Sequence, residues 1–210
     1  IANMAVEAGA KVGLIPADDK TLAYLRQHGV SDVDEKLFFR ADPDALYSEE
    51  ICFDSAKLVP VVACPHEVDN VRPVAEKQGL PVDQVYIGSC TGGRISDLQM
   101  AAEIMEGKRV APNCRLLVSP ASKAVWEEAL ELGLLKKLSE AGATILAATC
   151  GACLGLHSGT IGQGEVCVST TNRNFIGRMG SKYGDVYLAS AATAAATAIA
   201  GKLADPRNYL

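Results

Sequence analysis

Short apolar runs and longer segments with helical spacing alternate along the chain from residue 81 to its end. The apolar runs are bounded by Gly, Pro, Ser or Asp, which is typical of buried strands. In chain order they are QVYIGS, CRLLVSP, ATILAAT, EVCVSTT and DVYLAS. Runs that are apolar on both faces favour a parallel sheet covered on both sides, rather than an antiparallel sheet with one wet face.

The segments between these runs predict helices. SDLQMAAEIMEGK begins with a capping-box pattern at Ser96 and Gln99, and Gly107 follows it. SKAVWEEALELGLLKKLSEAG predicts a helix interrupted at Gly133, and the Ala-rich segment after Ser190 predicts a closely packed final helix. Strands alternating with helices predict an α/β fold, a three-layer α/β/α arrangement with a mostly parallel sheet.

The first eighty residues have a different, mixed pattern. NMAVEAGAKVGLIPADDKTLAYLRQHGV contains two helical patterns separated by Pro16, with Asp18 or Asp19 available to cap the second. DSAKLVPVVACP predicts a strand broken by Pro60 and ended by Pro65. We therefore predict two domains, over residues 1–80 and 81–210.

Composition excludes several classes of function. The net charge is −5 without a basic run, and aromatic residues make up 5% of the chain, which disfavours nucleic acid and anionic membranes as partners. The sequence predicts no transmembrane segment and no signal peptide. Because the chain does not begin with Met, we expect a fragment of a longer protein. Seven irregularly spaced cysteines predict a reduced, cytoplasmic location rather than a disulfide framework.

Three groups of polar residues follow predicted strands. Cys90 follows QVYIGS, Cys150 and Cys153 follow ATILAAT, and Arg173 and Arg178 follow EVCVSTT. In open α/β sheets, ligands bind at the carboxyl ends of the strands. Residues far apart in sequence are therefore expected to converge on one site.

The Cys-x-x-Cys pair at Cys150 and Cys153 is compatible with several chemistries. A redox pair would need a helix opening at the first cysteine, and the glycines around it disfavour that. A zinc site would add His157, and an iron–sulfur site would add a third thiolate from elsewhere. Buried core thiols are the remaining interpretation, and they are our prediction for the other cysteines, Cys52, Cys64, Cys114 and Cys167.

The remaining polar residues have weaker patterns. Arg173 and Arg178 suit bidentate recognition of a carboxylate or phosphate. Glu7 is an acid within an apolar helical stretch, which by pattern is a helix-surface residue. His28 and His66 have no spaced partner and are interpreted as structural.

Six ordered motifs together resemble the aconitase family, and most closely its branch of 3-isopropylmalate dehydratases and homoaconitases. The motifs, which cover nearly the whole chain, are NMAVEAGAK, PHEVDNVRPV, IGSCTGGR, TCGACLG, STTNRNFIGRMGS and YLASAATAAATAIAGKLADPR. The resemblance implies that residues 1–80 are part of one aconitase α/β domain. Residues 81–210 are then the domain that carries the cluster ligands.

The resemblance also implies a cofactor and roles for single residues. Cys90, Cys150 and Cys153 match the ligands of a [4Fe-4S] cluster with one open iron. Arg173 and Arg178 match arginines that hold substrate carboxylates. Asn3 and Asn172 match asparagines that hydrogen-bond around the cluster, and Glu7 matches a glutamate near the departing hydroxyl.

The implied activity is that of a large subunit isomerising 2-isopropylmalate to 3-isopropylmalate in leucine biosynthesis. Other hydroxy-di- or tricarboxylates are the alternative substrates, and a non-catalytic iron–sulfur or zinc-binding module is the alternative class of function. The base is implied to lie on a swivelling domain supplied by a small partner subunit. The resemblance also implies an amino-terminal region, absent from this sequence, that supplies the partner of Glu7, so we expect this chain on its own to be inactive. One departure concerns Gly92, where the family commonly has Asn.

Overall fold

The computed structural model describes residues 1–34, 36 and 38–210, and it divides into two compact units. The first comprises Ile1–Lys57 and the second Leu58–Leu210. The sequence placed a boundary near residue 80. The structure places it earlier because residues 61–73 form two strands that pair into the sheet of the second unit. The assignment of the two parts to family domains stays a prediction.

The first unit contains one α-helix among its described residues, α1 (Asp19–Gln27). Asp18 caps it, since its Oδ1 accepts a hydrogen bond from the Thr21 backbone N–H at 2.9 Å. The helix predicted before Pro16 is wrong: Ala2–Met4 form a 3-10 turn, and the hydrogen-bonded turns after it end at Gly9, whose φ of 76° is left-handed. A second 3-10 turn spans Ser55–Lys57.

The second unit is built on a sheet of seven strands, as far as the described residues show. The strands are β1 (Val61–Ala63), β2 (Val71–Pro73), β3 (Gln84–Gly88), β4 (Arg115–Ser119), β5 (Thr144–Ile145), β6 (Val166–Ser169) and β7 (Asp185–Leu188). Their order is β2-β1-β7-β6-β3-β4-β5. The pairs from β7 to β5 are parallel, while β1 is antiparallel to both of its neighbours. The prediction of an α/β fold with a mostly parallel sheet is confirmed.

Six helices accompany this sheet in the part of the chain that the structure describes. They are α2 (Val74–Lys77), α3 (Ser89–Gly92), α4 (Ile95–Met105), α5 (Lys123–Glu131), α6 (Leu134–Glu140) and α7 (Ala191–Ala200). Gly133 separates α5 from α6 as predicted, with a left-handed φ of 72°. The start of α4 differs from the prediction: Arg94 is the N-cap, and its backbone N–H donates to Asp97 Oδ2 at 3.0 Å, so Ser96 lies inside the helix.

The two faces of the sheet carry different cores. Helices α4 to α7 pack on one face, where alternate strand residues such as Val85, Ile87 and Val118 join the larger core. The opposite face carries a smaller core with Tyr86, Leu117 and Cys167. This second face is covered by loop segments and the 3-10 turn Gly151–Leu154.

The five predicted strands after residue 81 are all present, although the third is reduced to two residues in β5. The hairpin of β1 and β2 was only half predicted, because β2 contains Pro73 and has little apolar character. No helix among the described residues is long and apolar enough to cross a membrane.

Candidate active site at the carboxyl edge of the sheet

Cys90 lies immediately after β3, at the carboxyl edge of the parallel strands. Ser89 takes a left-handed φ of 80°, which is uncommon for a residue other than glycine and turns the chain sharply out of the strand. Cys90 follows in the single turn of α3 and is exposed. The side chain of Arg94 stabilises this turn, since its Nε donates to the Cys90 carbonyl at 3.2 Å.

Thr170, the first residue after β6, ties its own loop to the Cys90 loop. Its Oγ1 accepts a hydrogen bond from the Gly88 backbone N–H at 2.8 Å. The hydroxyl hydrogen reaches the carbonyl of Gly92 at 2.9 Å or of Gly88 at 3.1 Å, and a hydroxyl can donate to only one acceptor at a time. One buried side chain therefore joins the ends of two neighbouring parallel strands.

Gly92 lies against Thr170 so closely that a side chain has no room. A Cβ placed on Gly92 would lie 2.6 Å from the Thr170 Oγ1 and closer still to the Thr170 carbonyl oxygen. From the sequence, Gly92 was noted only as a position where the family commonly has Asn. The structure gives it a steric reason, because the α3 turn can approach Thr170 only without a Cβ.

Cys150 comes directly before the 3-10 turn that follows β5, and Cys153 lies within it. Cys150 is the N-cap of the 3-10 turn Gly151–Leu154, so both thiols come from one short loop. Ser119, the last residue of β4, supports the approach to this loop: its hydroxyl donates to the Ala147 carbonyl at 3.0 Å, or to Thr149 at 3.4 Å. Cys150 is exposed and Cys153 is half-buried.

Cys153 lies close enough to Cys150 and Cys90 for both to affect its pKa. Burial raises the pKa of the Cys153 thiol, the Arg178 guanidinium lowers it, and the neighbouring Cys150 and Cys90 add to the rise. Cys90 comes from the loop after β3 and the other two from the loop after β5, and both loops leave the same carboxyl edge of the parallel strands. That these three cysteines act together as ligands stays a prediction.

Tyr86 lies under the Cys150–Cys153 turn in the smaller core. Its side chain is 0% exposed, and Ala152 and Cys153 of the turn pack into the same core. Burial raises the pKa of its phenol, while Ser119 nearby has a smaller lowering effect. The two hydroxyls do not reach hydrogen-bonding geometry, so among the described residues the Tyr86 hydroxyl has no partner.

The segment after β6, residues 170–178, contains the predicted amide of Asn172 and the predicted guanidinium groups of Arg173 and Arg178. Asn172 Nδ2 donates to Thr91 Oγ1 at 2.8 Å, which links it to the residue next to Cys90. Arg178 Nε donates to the Cys153 carbonyl at 2.8 Å, and Arg173 is half-buried in the same segment. Both cysteine loops are thus hydrogen-bonded to this one segment.

The segment itself is anchored to the β1–β2 hairpin. Asn174 is fully buried, and its Nδ2 donates to the Cys64 carbonyl at 2.8 Å and to Glu67 at 3.3 Å. His66 in the hairpin loop has its Nε2 3.5 Å from Asp185 Oδ1. Asn3 and Glu7 lie in the first unit, in and after the turn Ala2–Met4.

The donor set fits an iron–sulfur cluster better than a single zinc ion. Within the described residues, no three His, Cys, Asp or Glu side chains are arranged around one ion. His157, the proposed zinc ligand, is exposed, and its Nδ1 lies 2.9 Å from Ser158 Oγ. A cluster takes each thiolate on a different iron, so its ligands need not meet at one point, and thiolates are its usual ligands.

The other cysteines divide by burial. All seven cysteines fall within the described residues and all are free thiols. The predicted burial is confirmed for Cys64, Cys114 and Cys167 and wrong for Cys52, which is exposed in the first unit. Burial raises the pKa of Cys114 to about 11 and that of Cys167 to about 12.

Four supporting residues were missed from the sequence: Tyr86, Thr91, Ser119 and Thr170. Thr91, Ser119 and Thr170 are hydroxyl residues at or beside a strand end or a predicted ligand, and that adjacency was the available signal. Tyr86 lies in the middle of β3 and carried no such signal. Hydroxyls in strands are also common without any such role, so the signal alone does not identify them.

The sequence of this chain matches a known protein family and several of its members. The model of the aconitase family (aconitate hydratase) matches residues 1–79 and 74–201. The 3-isopropylmalate dehydratase large subunit of Nitratidesulfovibrio vulgaris is 52% identical over 206 residues, 98% of this chain and 48% of the relative. The large subunit 1 of Thermotoga maritima is 50% identical over 212 residues, 100% of this chain and 50% of the relative.

A relative with a different name is almost as similar. The probable methanogen homoaconitase large subunit of Methanosarcina mazei is 49% identical over 208 residues, 99% of this chain and 52% of the relative. The chain thus spans about half the length of the curated relatives it matches.

Replacing Gly92 tests the contact with Thr170. We expect Gly92→Asn to lower the free energy of unfolding by about 1–3 kcal/mol, because the new Cβ must displace the Thr170 backbone. Gly107→Asn is the matched control, since a Cβ there meets nothing within 4 Å and Asn tolerates its left-handed φ of 69°. Denaturant unfolding measures both. If Gly92→Asn had the same free energy of unfolding as the wild type, the α3 turn would have to move away from Thr170 without cost.

Alkylation tests the burial of the thiols. In the metal-free chain near neutral pH, the exposed cysteines should react first with iodoacetamide, then Cys153, and the buried ones only on unfolding. Burial blocks access, and the raised pKa of Cys114 and Cys167 leaves little reactive thiolate. Mass spectrometry of timed digests gives the order. Labelling of Cys167 as fast as Cys52 would contradict the burial.

Proposed function

The chain belongs to the aconitase family, and from this we propose that it is the cluster-carrying part of a 3-isopropylmalate dehydratase-type large subunit, a hydro-lyase. The observation that carries the proposal is that the loops with Cys90 and with Cys150 and Cys153 leave the same edge of the sheet, and both are hydrogen-bonded to the segment after β6. About 50% identity to relatives with that name supports the substrate class. Leucine biosynthesis and a cytoplasmic location are part of the same proposal.

We propose that these three cysteines hold a [4Fe-4S] cluster. When bound, the cluster would supply an open iron as a Lewis acid for the substrate hydroxyl. The protein contributes the position of the ligands: α3 fixes Cys90, the 3-10 turn fixes the other two, and Thr170 and Ser119 hold the approaches to these loops.

The arginines are proposed to bind the substrate carboxylates. Arg178 uses Nε on the Cys153 carbonyl, and a guanidinium carries five N–H donors, so donors remain for a carboxylate. Its bond to a ligand loop would fix the substrate relative to the cluster. Arg173, from the same segment, is proposed to bind a second carboxylate.

Asn172 is proposed to act around the cluster rather than on the substrate. Its amide donates to Thr91, so it holds the Cys90 loop against the segment after β6. Asn3 and Glu7 are proposed on the family resemblance, Asn3 as a further amide and Glu7 as the acid near the departing hydroxyl.

The proposed reaction removes water from a 2-hydroxy acid to give an alkene and returns it with the hydroxyl on the neighbouring carbon. The base that takes the carbon-bound proton is proposed to come from the swivelling domain of a small partner subunit. The relatives' names contain the words large subunit, which supports a partner. That this chain alone is inactive stays a prediction.

Homoaconitase is the second candidate function. The relative with that name is 49% identical, against 52% for the dehydratase of N. vulgaris, and this difference does not discriminate substrates. A non-catalytic iron–sulfur or zinc module is the alternative of another class. The zinc form gains no support from the described residues, where no three His, Cys, Asp or Glu side chains surround one ion.

Serine substitutions test the cluster ligands. After anaerobic reconstitution with iron and sulfide, the wild-type chain should be brown and contain about four irons, the content of one [4Fe-4S] cluster. Cys90→Ser, Cys150→Ser and Cys153→Ser should each lose most of this iron and the visible absorption. Cys52→Ser is the control, because that thiol is exposed but lies in the first unit. Full reconstitution of Cys90→Ser would disprove the assignment.

Substrate preference tests the activity. With the full-length large subunit and its small partner, and with air excluded, we expect turnover of isopropylmalate in preference to homocitrate- or citrate-type acids. Arg178→Lys should raise KM by at least about tenfold, because a lysine cannot bind a carboxylate bidentately. Absorbance of the alkene intermediate follows the reaction. Preference for homocitrate would select the second candidate.

A further inference from the structure

The Tyr86 hydroxyl is a buried polar group whose position the proposed function does not yet use. It is on the strand that ends just before Cys90, with its side chain on the face that carries the smaller core. The 3-10 turn with Cys153 covers that core, and Ala152 of the turn is fully buried in it. The phenol therefore lies beneath two of the proposed ligands.

The protein's own atoms leave this hydroxyl unsatisfied. No described residue accepts or donates a hydrogen bond to it, and its exposed fraction is 0%. Ser119 is near enough to lower the pKa of the phenol, but its hydrogen goes to the Ala147 or Thr149 carbonyl and its oxygen does not reach hydrogen-bonding geometry with Tyr86. A buried polar group without a partner is costly, and phenylalanine would fill the same space without that cost.

A sulfur atom at the site would satisfy the phenol. At neutral pH a phenol keeps its proton and can donate, and the sulfurs of a thiolate-bound cluster are acceptors. The face of β3 decides which residue is available: Tyr86 points to the turn side, whereas Val85 and Ile87 point to the helix side. Of the buried side-chain atoms without a partner among the described residues, the Tyr86 hydroxyl is the one whose residue belongs to the smaller core.

We propose that the Tyr86 hydroxyl donates a hydrogen bond to a sulfur of the bound cluster, at Cys153 or at the sulfide beside it. Tyr86 is then a positioning residue, which acts on the cluster and not on the substrate. The inference rests on the proposed function, because it requires the cluster.

This role predicts effects of opposite sign in the two forms of the protein. Without the cluster, Tyr86→Phe removes an unsatisfied hydroxyl, so the unfolding midpoint should stay the same or rise. With the cluster, the variant removes a hydrogen bond to sulfur, so the cluster should be held less firmly. Changes around metal ligands commonly alter affinity by about 10–100-fold.

The test compares Tyr86→Phe, Tyr187→Phe and the wild-type chain of 210 residues, each reconstituted anaerobically. Tyr187 is the matched control, since it is a half-buried tyrosine of β7 that contacts the larger core. Iron loss to a chelator is followed by visible absorption, the midpoint potential is measured by titration, and unfolding of the metal-free forms is followed by circular dichroism.

We expect Tyr86→Phe to lose iron about tenfold faster than the wild type, with a more negative potential, because a hydrogen bond to sulfur favours the reduced cluster. Tyr187→Phe should match the wild type. Iron loss within twofold of the wild type, or an equal effect of Tyr187→Phe, would overturn the inference. So would a lower unfolding midpoint of metal-free Tyr86→Phe, which would show a partner within the protein, such as Ser119.

The proposed function has a separate point of failure in the same experiment. A wild-type chain that binds no iron through its three cysteines would overturn the cluster and the inference with it. A wild-type chain that binds the cluster, beside a Tyr86→Phe chain that holds it equally well, would overturn only the inference.

Discussion

The hydroxyl of Thr170 joins the ends of β3 and β6, and the geometry of the candidate site depends on this junction. It accepts from Gly88 at 2.8 Å and donates to Gly92 or Gly88. Pairing of two parallel strands sets the directions of the strands but not the positions of the loops that follow them. The hydrogen bonds of the Thr170 side chain connect these two loops, so the turn with Cys90 and the segment with the arginines begin at fixed positions relative to each other.

The absence of a side chain at Gly92 follows from this junction. The α3 turn approaches the Thr170 backbone too closely for a Cβ. What the sequence showed as a departure from a family pattern is therefore a packing constraint of this chain. The same closeness brings Thr91 within 2.8 Å of the Asn172 amide, which gives the two loops a second connection.

The sequence predicted the parts of the fold that depend on local apolar patterns. The runs around Gln84–Gly88 and Val166–Ser169 are buried on both faces, and their strand character is visible without the structure. The sequence did not predict the start of α4. Serine is a common N-cap residue, so Ser96 was the expected cap, but the N-cap in the structure is Arg94. Nor did the sequence predict that Cys52 is exposed, since an apolar neighbourhood in sequence does not determine burial in the fold.

The sequence predicted which strand ends would carry the residues of the candidate site, but not which of these residues contact one another. Strand order decides which loops meet, and β6-β3-β4-β5 is a property of the whole sheet that no local pattern contains. The alternation along β3 adds a second condition, because a shift of one residue would exchange the two faces. Ile87 would then lie beneath the Cys150–Cys153 turn, and Tyr86 would enter the larger core. Since helices α4 to α7 pack on one face and the cysteine turn on the other, the register of this one strand determines whether that turn lies over a phenol or over a hydrocarbon.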